Sequence, residues 1–336
     1  FLVDMRGEVR TRLREHPDLR PLDQDLLRLL SAWFDVGFLE LRRITWDTSA
    51  ALLEKLIAYE AVHEIQSWQD LKNRLADDRR CFAFFHPNMP DEPLIFVEVA
   101  LVNGIAENVQ TLLDESAPRG DPATADTAIF YSISNCQPGL AGVSFGNFLI
   151  KRVASELSQS LPRLKTFATL SPIPGFSRWL KSRLAEHAAS GEEHELFDES
   201  EAQWLADLDP QGSADSALQR LIADAPLWAH GAEEASGVEE RLGSILMRLC
   251  SQYLTSTTEG TRKRALDPVA HFHLSNGARV ERINWYGDRS RRGLEQSTGM
   301  MVNYLYKLSD IEKNHEAYKD SGRIIYSSAV RKLLRT

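Results

Sequence analysis

A chain of 336 residues is longer than one hydrophobic core usually serves, which favours two domains. Its 43% hydrophobic and 26% charged residues exclude a disordered, collagenous or coiled-coil chain, and no apolar run approaches the ~20 residues that cross a bilayer. The net charge of -9 opposes nucleic acid as a partner, but residues 191–240 hold 14 acidic residues against Arg220 alone; the rest of the chain is +4 and compatible with an anionic ligand.

The sequence opens Phe1-Leu2-Val3-Asp4-Met5-Arg6, with charges where a signal peptide needs its apolar stretch and without an initiator Met, so further residues are expected before it. Leu26, Leu27, Leu29, Leu30, Trp33 and Phe34 recur at helical spacing, and residues 1–34 read as the end of an all-helical domain. Residues 35–336 read as a second domain. Thr48 or Ser49 starts a helix through Tyr59, and Ser67-Trp68-Gln69-Asp70 opens another. The period then changes: Cys81 to Phe85, Leu94 to Val102 and Ala128 to Ser134 are short, rich in Phe, Val and Ile, and bounded by turn residues, as strands are.

A Gly-bearing loop, Gln137 to Asn147, leads into a helix marked by Phe148, Leu149, Val153 and Leu157. Leu164 to Leu170 reads as a strand ending in Ser171-Pro172-Ile173-Pro174-Gly175-Phe176, before a helix around Trp179 to Leu184. The acidic stretch, about 187–240, reads as a helical insertion at the surface. Val269 to Leu274 and Val280 to Trp285, split by Ser275-Asn276-Gly277, read as a hairpin. Cys81, Cys136 and Cys250 have neither zinc nor disulfide spacing, so a reducing compartment, by default the cytoplasm, is expected.

Three stretches hold chemistry. Gly139, Gly142 and Gly146 let backbone approach an anion before a helix start, which suits a pyrophosphate, although the spacing fits neither a Walker loop nor a dinucleotide fingerprint and the glycines can simply shape the loop. Ser171 stands where two prolines stiffen the chain, as a positioned side chain or as a turn residue. His271 and His273 share a face if they lie in a strand. With no third ligand at a recognisable spacing, one histidine acting as acid or base is favoured over a metal pair, and a structural histidine remains open.

Taken together, these stretches resemble the malonyl-CoA decarboxylase family. The likeness is carried by Phe1 to Arg6, Ala128-Ile129-Phe130-Tyr131-Ser132-Ile133-Ser134, Gly146-Asn147-Phe148-Leu149-Ile150-Lys151-Arg152-Val153, Leu170 to Phe176, Pro268-Val269-Ala270-His271-Phe272-His273-Leu274 and Arg282-Ile283-Asn284-Trp285. It implies an α+β fold: a GNAT-like mixed sheet flanked by helices, preceded by the remainder of a helical N-terminal domain used in homo-oligomer formation. It further implies that Ala141, Gly142, Val143, Ser144, Phe145, Gly146 and Asn147 hold the coenzyme A pyrophosphate, although GNAT loops commonly begin with Gln or Arg where Ala141 stands.

By the same resemblance Ser171 and His273 are catalytic, His271 is not, and malonyl-CoA and acetyl-CoA are substrate and product. No metal or separate cofactor and no membrane are implied, and the acidic segment is expected away from the phosphates. Two other readings are an acyltransferase on the same fold and a non-catalytic acyl-CoA sensor.

Overall fold

Turn chemistry and hydrophobic spacing organise the computed structural model, which describes residues 1–143, 148–190, 196–209, 212–228, 236–261 and 263–335. The chain forms two α+β units, one of Phe1–Ile105 with Leu112–Ala168 and the other of Ala106–Thr111 with Thr169–Thr336.

The first unit begins with α1 (Leu2–Arg12) and α2 (Arg20–Trp33), whose inner faces bury Val3, Arg6, Val9, Leu26 and Leu30. After β1 (Glu40–Ile44) come α3 (Ala50–Tyr59) and α4 (Trp68–Arg74). As the sequence predicts, Ser67 caps α4, its hydroxyl accepting the Asp70 N–H at 3.0 Å. The three runs rich in Phe, Val and Ile are β2 (Arg79–Phe85), β3 (Ile95–Val102) and, beyond α5 (Val109–Leu113), β4 (Thr127–Asn135). Strands β1 to β4 pair in order, all antiparallel, with Phe82 opposite Val97 and Val97 opposite Ile133. Their near-continuous apolar text reflects burial: Ala83, Phe85 and Phe96 pack with Leu56 of α3 and Leu71 of α4. Helix α6 (Phe148–Ser160) and β5 (Thr166–Thr169) follow.

The second unit contains β6 (Ser171–Pro172), α7 (Phe176–Ser190), α8 (Glu199–Leu208), α9 (Ala214–Trp228), α10 (Ser236–Thr255), α11 (Pro268–Ser275), β7 (Arg279–Asn284), α12 (Arg291–Ser297), β8 (Met301–Leu305), α13 (Ile311–Ser321) and α14 (Ser328–Leu333). Strand β8 pairs antiparallel with both β6 and β7: Val302 stands opposite Ser171 on one edge and Ile283 on the other. The described part of the acidic segment contains α8 and α9 and is anchored. Leu205 and Leu218 are fully buried, Arg248 of α10 pairs with Glu201, and His187 of α7 pairs with Asp215 at 3.0 Å.

One expectation is corrected. Val269 to Leu274 is not a strand of a hairpin but most of α11. Asp267 caps it, its Oδ1 accepting the N–H groups of Val269 and Ala270 at 2.9 Å, and Pro268 fills the first turn, where its missing N–H costs nothing. Asn276-Gly277, read as a hairpin turn, ends the helix, with Gly277 at φ +81°. The partner of β7 is β8.

Candidate active site

Helix α11 directs His273 inward to 3% exposure, where it meets the strand that carries Ser171. His273 Nε2 lies 3.1 Å from Ser171 Oγ, and Nδ1 lies 2.8 Å from the Tyr306 hydroxyl. Ser171 Oγ donates to Thr169 Oγ1 at 2.8 Å. With the serine hydrogen spent on Thr169, Ser171 Oγ accepts from Nε2–H, which leaves Nδ1 to accept from Tyr306. The chain of donors therefore runs from Tyr306 through His273 and Ser171 to Thr169. Burial pushes the His273 pKa down to about 3, because an apolar surround disfavours the imidazolium. Tyr304 stacks on the ring at 4.5 Å and 24°, fixing its plane.

A second layer fixes the acceptors. Thr169 Oγ1 also accepts the Tyr304 N–H at 3.1 Å, and Asn303 Nδ2 donates to the Thr169 carbonyl at 2.8 Å. Asn284 Nδ2 in turn donates to Asn303 Oδ1 at 2.8 Å.

Asp267 ties the serine segment to the histidine helix. Besides capping α11, it accepts the Tyr253 hydroxyl at 3.3 Å and the Gly175 N–H. Burial raises its carboxyl above the ordinary range, while the N–H donors oppose that shift. Gly175 is required here: a Cβ at this position would lie 2.0 Å from the Tyr253 hydroxyl. Ile173 and Phe176 flank it, both fully buried, so the Ser-Pro-Ile-Pro-Gly-Phe stretch is pinned on each side of its glycine.

Sequence reasoning places Ser171 and His273 separately, and the structure brings them into hydrogen-bond range. It does not join His271 to them. In a helix, residues two apart point to different faces, and His271 Nδ1 instead meets the Tyr318 hydroxyl at 2.8 Å. Among the described residues no group of three or more His, Cys, Asp or Glu is placed to hold a metal ion. Tyr306, Thr169 and Asp267 were missed; of these, only Asp267-Pro268, a helix-start pair, carried a sequence signal.

The Gly-bearing loop lies in the first unit. Leu140 to Val143 is a type II turn: Val143 N–H donates to the Leu140 carbonyl at 2.9 Å, Ala141 has φ -59° and ψ 129°, and Gly142 has φ +86°. Ala141 and Gly142 are exposed, and Val143 is buried. Gly139 serves packing, since a Cβ there would fall 1.8 Å from the Val3 carbonyl oxygen. Ser144, Phe145, Gly146 and Asn147 lie outside the described residues.

Comparison with known proteins shows the malonyl-CoA decarboxylase family. Residues 37–336 match the model for the malonyl-CoA decarboxylase C-terminal domain, and residues 1–34 match that for the malonyl-CoA decarboxylase N-terminal domain. The chain is 42% identical over 336 residues to the mitochondrial malonyl-CoA decarboxylase of Anser anser anser, a match covering 98% of this chain and 65% of that protein's length. Crystal structures of malonyl-CoA decarboxylases from Agrobacterium vitis and Rhodopseudomonas palustris are similar, with TM-scores of 0.84 and 0.83 and identities of 47% and 46%. These matches cover 99% and 98% of this chain and 75% of each of those chains.

Proposed function

The chain belongs to the malonyl-CoA decarboxylase family, and from that premise we propose that it converts malonyl-CoA into acetyl-CoA and carbon dioxide. The observation that carries the reading is the buried 3.1 Å contact between Ser171 Oγ and His273 Nε2. In this reading Ser171 hydrogen-bonds the malonyl carboxylate and holds the scissile C–C bond perpendicular to the thioester plane. That bond breaks as carbon dioxide leaves, and its electron pair passes to the carbon beside the thioester carbonyl, which delocalises it as an enolate. His273, protonated to the imidazolium beside the malonyl carboxylate, gives the Nε2 proton to that carbon and returns to neutral imidazole. The thioester itself is the electron sink, so the reaction as drawn needs no separate cofactor; coenzyme A enters with the substrate.

The tautomer fits this task. Nε2 carries hydrogen while Nδ1 accepts from Tyr306, and burial alone disfavours the imidazolium, so the adjacent malonyl carboxylate is what makes its formation favourable. Gly142 and the loop from Ala141 to Asn147 take the coenzyme A pyrophosphate on backbone N–H groups. Residues 1–34 are the end of the helical domain through which copies of the chain associate, and residues 35–336 form the GNAT-like catalytic domain. The acidic segment keeps clear of the phosphates. Cys81, Cys136 and Cys250 are free and buried, which suits a reducing compartment such as the cytoplasm; the Anser anser anser relative is named as mitochondrial. Among the described residues no helix is long and apolar enough to cross a membrane.

The test is to incubate the chain with malonyl-CoA and no acceptor, and to measure carbon dioxide and acetyl-CoA. An acyltransferase leaves malonyl-CoA unreacted under these conditions, and a sensor binds it unchanged. Ser171→Ala and His273→Asn should each lower turnover by about 10²-fold or more while coenzyme A binding persists. A folded, coenzyme A-binding protein that forms neither product would overturn the assignment.

A further inference from the structure

Arg6 is one of the most completely buried charged residues in the chain, 1% exposed on the inner face of α1. Its Nη1 donates to two carbonyls more than 130 residues away, that of Gly139 at 2.7 Å and that of Ala141 at 2.8 Å. Its Nε donates to Asp23 Oδ1 of α2 at 2.9 Å, which orients the guanidinium. Gly139 permits the approach, since a side chain there would have no room against Val3 of α1.

The contact with the Ala141 carbonyl falls on the peptide whose orientation defines the turn. Type I and type II turns differ by a flip of the central peptide, here Ala141–Gly142. A trans peptide carries its N–H opposite its carbonyl, so a guanidinium that holds the Ala141 carbonyl also turns the Gly142 N–H away from α1. The flip to type I would bring that carbonyl out and leave a buried arginine proton without its acceptor, which is costly.

We infer that Arg6 is a positioning residue for pyrophosphate recognition: it selects the type II form of the turn Leu140–Val143 and so presents the Gly142 N–H to the pyrophosphate. The helical segment 1–34 then does more than associate copies of the chain, since it sets the geometry of the loop. This inference rests on the proposed role of the loop in holding coenzyme A.

The two are separated by calorimetric titration of the full chain with coenzyme A and with pantetheine, which lacks the pyrophosphate. Arg6→Met should weaken coenzyme A binding about tenfold and leave pantetheine binding unchanged, and Arg6→Lys should restore part of the loss. In turnover the loss should appear in KM, with kcat retained at saturating malonyl-CoA. Gly142→Ala, at an exposed position with no atom closer than 3.7 Å to the new Cβ, disfavours φ +86° without touching the core and should show the same selective loss. It therefore stands in for Arg6→Met should that variant not fold. Ala141→Asp places a repelling charge at an exposed position of the turn. If it loses coenzyme A while Arg6→Met and Gly142→Ala bind normally, the inference fails and the loop assignment stands. If Ala141→Asp also binds coenzyme A normally, the loop assignment itself fails.

Discussion

The Tyr306 hydroxyl donates to His273 Nδ1 at 2.8 Å, across 33 residues of sequence, and this bond decides which ring nitrogen carries the hydrogen. With Nδ1 occupied as an acceptor, Nε2–H points at Ser171. Tyr306→Phe removes the donor and leaves a buried nitrogen unpaired, so the ring is free to take the other tautomer or to rotate. We expect kcat to fall by about 10- to 100-fold, within the range for general acid catalysis, with coenzyme A affinity unchanged. Stability should fall by about 1–3 kcal/mol, the desolvation cost of the orphaned nitrogen. Steady-state kinetics and urea unfolding check both; an unchanged kcat would remove Tyr306 from the proton path.

The packing of Gly175 on Tyr253 makes a rescue experiment possible. Gly175→Ala drives a methyl against the tyrosine hydroxyl at 2.0 Å and displaces the segment that carries Ser171. Overpacking of this kind costs about 1–3 kcal/mol, and activity should fall with it. Tyr253→Phe removes the clashing oxygen and the 3.3 Å bond to Asp267. The double variant should therefore recover part of the stability and activity lost in Gly175→Ala, because the two positions share one contact. Additive losses in thermal unfolding and turnover would mean that the glycine is not held by this packing.

Much of this architecture is legible in the chain. The Phe, Val and Ile runs of β2, β3 and β4 identify themselves by composition, and Ser67 announces α4 through its cap. Helix α11 was misread because Val269, Phe272 and the Asn276-Gly277 pair resemble strand and hairpin text, although Asp267-Pro268 is a helix start. Two histidines two apart share a strand face but not a helix face, so that one error also set His271 on the same face as His273. Other relationships have no local signature. Tyr306 finds His273, and Arg6 finds Gly139 and Ala141, only through tertiary packing at separations that no periodicity encodes.

Arg74 should dominate the stability of the first unit. Its side chain is 2% exposed, and it donates to Asp70 Oδ1 at 2.8 Å, Glu98 Oε2 at 3.0 Å and the His63 carbonyl at 2.8 Å. Burial pushes the Glu98 carboxyl up to about 8, and Arg74 is the main group opposing that shift. Arg74→Met leaves the buried Asp70 carboxylate without its cation and should cost about 3–5 kcal/mol at pH 7. Without the arginine the Glu98 carboxyl rises further and is neutral at that pH, so adding Glu98→Gln should change stability little. Urea unfolding of the set decides this, and a double variant clearly more stable than Arg74→Met would show that Glu98 stays ionised without the arginine.

The buried histidine also makes a definite pH prediction. His273 titrates at about 3 in the folded chain, against an ordinary value of 6.5 for an exposed imidazole. Below pH 6.5 the unfolded chain takes up a proton that the folded chain refuses, so stability present above pH 6.5 is lost as the pH falls toward 3. The slope approaches about 1.4 kcal/mol per pH unit, which amounts to about 2 kcal/mol between pH 7.5 and pH 5. Asp267 acts in the opposite direction, because burial raises its carboxyl and lower pH relieves the cost of its ionised form. That contribution is common to the parent chain and a His273→Gln variant, and it cancels in their difference. The variant should therefore gain about 2 kcal/mol relative to the parent on going from pH 7.5 to pH 5. Urea unfolding at the two pH values measures this gain; a difference that stays constant would mean that the imidazole is protonated in the folded protein at pH 5.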